Sequence, residues 1–129
     1  MTVTGNATAT TIDASAATGK ITVTSDNTKA VSITTGSGVD AVTMTGSNTL
    51  TDTVSLGTGN DKVTFTATLD DADIVDGGDG TDTVVGISAD LAALTSAATT
   101  SNLTNFEVVQ ISDQSGADLD VSDLSLIHI

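Results

Sequence analysis

The chain has 129 residues, enough for one domain, and its 17 acidic against 3 basic residues give a formal charge of -14. Phosphate recognition needs clustered Lys and Arg, so this balance argues against nucleic acid and against an anionic membrane surface. There is no cysteine to form disulfides or thiolate metal sites, and no apolar run approaches the length of a membrane span.

Residues 1–32 read as degenerate β-coils. The pattern is already under way at Met1, with no basic region or apolar signal core before it, so the chain reads as a piece of a longer protein. From Ile12 onward a β-branched column recurs every 21 residues as Ile12, Ile33, Val54 and Val75. A second set, Ile21-Thr22-Val23-Thr24, Val42-Thr43-Met44-Thr45 and Val63-Thr64-Phe65-Thr66, repeats at the same interval. Each segment alternates apolar and polar residues, the mark of a strand with one buried face. At a constant period Ile21/Val42/Val63 and Val23/Met44/Phe65 would stack inside, and Thr22/Thr43/Thr64 and Thr24/Thr45/Thr66 outside. With two Phe and neither Trp nor Tyr, the core suits narrow coils filled by Val, Ile, Leu and Ala.

Two kinds of turn separate these strands. One comprises Ser25-Asp26-Asn27, Gly46-Ser47-Asn48 and Leu69-Asp70-Asp71. The other carries glycine and aspartate in register: Gly36-Ser37-Gly38-Val39-Asp40, Gly57-Thr58-Gly59-Asn60-Asp61, and Gly77-Gly78-Asp79-Gly80-Thr81-Asp82. Asp40, Asp61 and Asp82 fall 21 residues apart. In the first coil Asp13-Ala14-Ser15-Ala16-Ala17-Thr18-Gly19 takes this place, and no site is expected there. An unbroken period of this length predicts an all-β chain folded as a parallel β-solenoid, β-roll-like, with 21-residue coils.

The period breaks after Val85. Ser88-Ala89-Asp90-Leu91-Ala92-Ala93-Leu94 predicts a short helical excursion near 88–98, with Ser88 as N-cap and Leu91, Leu94 and Ala98 on one face. Glu107-Val108-Val109-Gln110-Ile111 and Leu119-Asp120-Val121 read as further strands. The organisation is thus 1–87 solenoid repeats (1–32 degenerate, 33–87 with the glycine-aspartate turns), 88–124 a helix and an added coil, and 125–129 a tail. That tail, Ser125-Leu126-Ile127-His128-Ile129, resembles a translated sequencing adapter, and it is set aside as non-native.

Glycines that adopt positive φ let backbone carbonyls converge, and the aspartate adds a carboxylate at a fixed offset. Hard oxygen donors in a flexible arrangement are the ligands of calcium; zinc would need His or Cys. The unit Gly77–Val85 resembles the nonapeptide G-G-x-G-x-D-x-U-x of the RTX calcium-binding β-roll proteins. In the copies at Gly57 and Gly36 the first glycine is replaced by Leu56 and Thr35. The resemblance covers residues 33–87. It implies calcium ligands at Gly36, Gly38 and Asp40, at Gly57, Gly59 and Asp61, and at Gly77, Gly78, Gly80 and Asp82, with glycines acting through carbonyls. Unlike the family's roll, this chain has the calcium-type turn on one edge of the coil only. Three stacked turns imply about two ions, with room for another at the dense run Asp70, Asp71, Asp73, Asp76, Asp79 and Asp82.

The threonine-rich coils and the segment Asn105-Phe106-Glu107-Val108-Val109 resemble Gram-negative surface-layer proteins and adhesins. The resemblance implies a secreted, extracellular structural protein bound to calcium, with self-association or cell-surface polysaccharide as partners. An enzyme is not expected, because the chain lacks substrate-binding aromatics and has only Lys20, Lys29 and Lys62 as bases. Two alternatives are an RTX secretion module attached to a secreted enzyme and, from the Thr-x-Thr ladder, a calcium-dependent ice-binding adhesin domain.

Overall fold

A computed structural model describes residues 1–4, 9–25, 28–46, 49–66, 69–88, 90–91 and 102–113. The chain winds through repeated short strands: β1 (Thr2–Thr4), β2 (Thr11–Asp13), β3 (Thr22–Ser25), β4 (Ser32–Thr34), β5 (Ala41–Met44) and β6 (Thr53–Ser55). It continues through β7 (Thr58–Gly59), β8 (Lys62–Phe65), β9 (Ile74–Asp76), β10 (Asp79–Gly80), β11 (Thr83–Gly86), β12 (Leu103–Thr104) and β13 (Val108–Ile111). Among the described residues these form a six-stranded sheet, β1-β3-β5-β8-β11-β13, and a five-stranded sheet, β2-β4-β6-β9-β12. A two-stranded ribbon, β7-β10, runs along one edge. Every pairing is parallel. A chain that returns to the same place one coil further on can pair in no other sense.

The expected parallel β-solenoid is therefore the fold. The first inward column is as its spacing predicts: Ile12 pairs with Ile33, Ile33 with Val54 and Val54 with Val75, at intervals of 21 residues. Leu103 extends it. Ile33, Val54, Val75 and Leu103 are all buried, and with Val23, Val42, Val63, Val84, Phe65 and Phe106 they make one continuous core. Full burial of such a side chain is worth about 1.5–3 kcal/mol, so these columns dominate the cohesion of the coils.

The opposite column departs from the constant period. Val23, not Ile21, pairs with Val42, and Ser25, not Val23, pairs with Met44. From there on the 21-residue interval holds, with Val42 on Val63 and Met44 on Phe65. The cause lies in the first coil. Eleven residues separate Ile12 from Val23 but nine separate Ile33 from Val42; the return from Val23 to Ile33 is correspondingly short, and the total stays at 21. The outer ladder shifts with the register. It runs Thr4, Thr24, Thr43, Thr64, Val85, while its neighbour column is Thr2, Thr22, Ala41, Lys62, Thr83. Of the Thr-x-Thr array expected over three coils, Thr43 and Thr45 keep register with Thr64 and Thr66, whereas Thr22 and Thr24 are shifted onto Ala41 and Thr43.

At the excursion, Ser88, Asp90 and Leu91 have helical backbone and Leu91 N–H donates to the Ile87 carbonyl at 3.1 Å. Ser88 therefore lies inside the first turn, not at the N-cap. Its N–H is met from another coil by Asp113 Oδ1 at 2.6 Å. Leu94, Ala98, the expected strand at Leu119–Val121 and the tail 125–129 lie outside the described residues. The strand expected at 107–111 forms as β13 and adds to β11 in register.

Candidate functional site

Each glycine-aspartate turn leads into one strand of the six-stranded sheet, so the coils superpose the turns. Gly57, Gly59, Gly78 and Gly80 all have positive φ, at 85°, 144°, 89° and 147°. A side chain at any of them would collide with the carbonyl of the glycine one coil before: Gly36 beneath Gly57, Gly38 beneath Gly59, Gly57 beneath Gly78 and Gly59 beneath Gly80. Below these, Gly36 lies over Ala17 and Gly38 over Gly19. The stack thus reaches the first coil's turn, where no site was expected. Two of the stacked carbonyls also accept main-chain bonds, Gly36 from Thr58 N and Gly57 from Asp79 N, each at 2.9 Å.

The aspartates are inside. Asp40 and Asp61 are 2% exposed and Asp82 0%. Their Oδ1 atoms form a ladder with the backbone of the preceding coil. Ile21 N–H donates to Asp40, Asp40 N–H to Asp61 and Asp61 N–H to Asp82, all at 2.7 Å. Glu107 supplies the last rung, its Oε2 accepting from Asp82 N–H at 2.8 Å. These amides begin strands at the sheet edge, where an unmet buried donor would cost on the order of 1–3 kcal/mol.

The second oxygen separates these three rungs from that of Asp73, but not from Asp90 beside Leu69, whose Oδ2 is likewise buried without a partner among the described residues. Oδ2 of Asp40, Asp61 and Asp82 is buried and has no hydrogen-bond partner among the described residues. The other edge of the coil carries a parallel ladder that sequence reading did not pick out. There Val31 N–H donates to Asp52 Oδ1 at 2.8 Å, and Asp52 N–H to Asp73 Oδ1 at 2.9 Å. Asp73 Oδ2 accepts a further bond from Asp70 N–H at 3.1 Å. Both edges thus use an aspartate to meet the amide one coil earlier. On the Asp73 rung the protein uses both oxygens; on the glycine edge it leaves one over.

Burial sets the electrostatics. Desolvation pushes the Asp61 carboxyl up to about 6, against the lowering effect of its bond from Asp40 N–H, with Asp40 and Asp82 as nearby negative charges. Asp73 is pushed up to about 6 for the same first reason. Asp82 is raised by burial and then by Glu107, Asp76 and Asp79.

The residues implied as ligands are accordingly brought together as one stack, but as one carboxylate per coil. Among the described residues no group of three or more His, Cys, Asp or Glu is placed to hold a metal ion. A cation at this edge would be held by a single Oδ2 with backbone carbonyls, a donor set of hard oxygens. The orphaned Oδ2 atoms and the glycine carbonyls are hard oxygens, the donor type that calcium takes.

Gly77 belongs to a different arrangement. A side chain there would collide not with the coil below but with the Asn105 carbonyl of the coil above. Asn105 is the one non-glycine with positive φ among the described residues, at 56°. Gly77 continues the column Thr35, Leu56, in which Leu56 is wholly buried and Thr35 Oγ1 donates to the Leu56 carbonyl at 2.7 Å. Sequence reading also missed Asn105 and Glu107 as partners of this turn. They lie off the 21-residue period, displaced by the insertion after Gly86. Asp52 and Asp73 do keep the period, and that spacing could have found them.

No family model, curated protein or solved structure matches the chain. No helix of the described residues is long and apolar enough to cross a membrane.

Proposed function

We propose that the chain is a calcium-binding structural β-solenoid of the bacterial cell surface, of the surface-layer or adhesin type, which completes its fold on binding calcium after secretion. The observation that carries this reading is that the three stacked aspartates of the glycine turns each keep one buried oxygen without a donor among the described residues, where Asp73 uses both. A buried carboxylate oxygen without a partner is costly, and a bound divalent cation removes that cost. The formal charge of -14 adds self-repulsion that the same ions relieve. Calcium binding then becomes folding free energy, in the extracellular regime of dissociation constants on the order of 10⁻⁴–10⁻³ M. In this reading the chain is extracellular, is not an enzyme, and works by self-association or by holding cell-surface polysaccharide.

Circular dichroism of the full chain during a calcium titration tests it, with Asp61→Ala/Asp82→Ala as the comparison. A cooperative gain of β-structure on adding calcium, weakened in the double variant, supports the reading. A chain already fully folded in chelator, with an unchanged spectrum and melting temperature in calcium, overturns it and leaves the turns as architecture.

A further inference from the structure

We infer that the chain associates with further copies of itself front to back, the outer face of its six-stranded sheet lying on the outer face of the next copy's five-stranded sheet. This rests on the self-association in the reading above and adds which faces meet.

The two faces differ in charge. The outward positions of the six-stranded sheet hold threonine, alanine, valine, glutamine and Lys62, with no carboxylate among the described residues. In a chain of 17 acidic and 3 basic residues, a second copy meets the least repulsion here. The outward positions of the five-stranded sheet hold threonine, serine and Ile74 together with Asp13 and Asp76, and no base among the described residues.

The fold sets these charges in columns that can face each other. Lys62 opens β8 directly after the turn Gly57–Asp61, in the column Thr22, Ala41, Lys62, Thr83, so it lies along the glycine edge. Asp13, Thr34, Ser55 and Asp76 close β2, β4, β6 and β9, strands that run into the same edge from the other face. Translating a copy perpendicular to its sheets therefore brings the Lys62 column of one molecule against the Asp13–Asp76 column of the next. Ser55 and Lys62 belong to one coil, and Asp76 lies one strand beyond Ser55, a spacing of about 4.8 Å that a lysine side chain spans. Ile74, 49% exposed, then faces the threonine methyls of the column Thr24, Thr43, Thr64. Front-to-front packing sets Lys62 against Lys62, and back-to-back packing sets carboxylates against carboxylates, so the charges favour unlike faces.

Such a contact is heterologous. Each stack keeps a free front and a free back, and translation does not close it. Val85 on β11 is already buried, so the open front runs over β1, β3, β5 and β8. At about 4.8 Å per strand this is on the order of a few hundred Å2, the size of a weak contact.

Sedimentation velocity of the full chain in calcium chloride, up to millimolar protein, tests this with Ser55→Glu and Ser55→Lys. Ser55 is partly exposed in the column that meets Lys62 of the next copy. The wild-type mean mass should rise with concentration without a plateau. Ser55→Glu should associate several-fold more strongly, and Ser55→Lys several-fold more weakly. Net charge alone would order the two variants the other way, because Glu adds to the repulsion and Lys relieves it. A wild-type chain that stays monomeric, variants equal to the wild type, or Lys stronger than Glu overturns the stacking. If either variant does not reach the wild-type β spectrum, Thr34→Glu and Thr34→Lys in the same column replace the pair and are read in the same way. Circular dichroism of the same samples keeps the two readings apart. No gain of β-structure with calcium, with Glu still above wild type and wild type above Lys, overturns the calcium reading alone. A calcium-dependent fold without association overturns the stacking alone.

Discussion

The main-chain N–H of Asp61 donates to Oδ1 of Asp82 at 2.7 Å across 21 residues of sequence. One side chain thus does two things: it meets an amide of the coil beneath and leaves its second oxygen facing no donor among the described residues. Separating these roles is the direct way to interrogate the ladder. Asp61→Ala removes the acceptor for Asp40 N–H and should cost on the order of 1–3 kcal/mol in calcium and in chelator alike. Asp61→Asn keeps the acceptor and removes the buried charge. In chelator at pH 7.5 it should equal or exceed the wild type in stability, and should gain less from calcium. Urea unfolding in both conditions checks this; an Asn variant as unstable as Ala in chelator would show that the charge is not the cost.

The raised carboxyls make the metal-free fold acid-stabilised. Asp61 and Asp73 titrate near 6 when folded, against 3.8 for the unperturbed group. Between those values the folded state holds protons that the unfolded state has lost. Their contribution is complete below pH 3.8 and is lost as pH rises through about 6. In chelator the melting temperature should fall by several degrees from pH 5 to pH 7.5. Asp73→Asn should flatten part of that slope with or without calcium, whereas Asp61→Asn should flatten it in chelator only. A melting temperature that rises over this interval in chelator would contradict the assignment.

Glycine is required at the stacked positions for two independent reasons. Gly80 has φ 147°, and a side chain there would collide with the Gly59 carbonyl. Gly80→Ala and Gly59→Ala should each lose on the order of 1–3 kcal/mol or more. Gly19, at the bottom of the same stack, has nothing within 4 Å of an added Cβ and no positive φ, so Gly19→Ala should be neutral or slightly stabilising. Thermal melts of the three variants would separate the cases. Equal losses at all three would mean the coils do not superpose as described.

Restoring the motif should harm the protein. Leu56→Gly gives the middle copy the complete glycine-glycine pattern of the third, but Leu56 is wholly buried in the core. Its loss should destabilise the fold by about 2–5 kcal/mol, with no new calcium step, because it empties part of the core and brings no new oxygen donor. Urea unfolding together with calorimetry checks both halves. A stabilised variant with an added binding step would reverse the explanation given for Gly77.

Much of this architecture was legible because a solenoid repeats its local physics. Ile12, Ile33, Val54 and Val75 must face inward in every coil, so the 21-residue interval and the parallel stacking follow from the alternation of apolar and polar residues. The glycine-aspartate register was visible for the same reason, and it placed Asp40, Asp61 and Asp82 in one column. A constant period could not reveal the first coil, where a long turn before Val23 and a short return after it cancel in the total. The sum is what a repeat reports, and the register of Val23 on Val42 depends on the parts.

By itself, then, the sequence determined the period, the inward columns, the all-β class and the acidic turns, because each rests on patterns that recur within a few residues. Only the tertiary structure decided which atoms those turns present. That the aspartates are buried, that Oδ1 is spent on the amide one coil below, and that Asp73 satisfies both oxygens where Asp82 keeps one over, all depend on how closely one coil lies on the next. Asn105 and Glu107 complete the last turn from beyond an insertion that takes them out of phase, and only superposition in space brings them to Gly77 and Asp82.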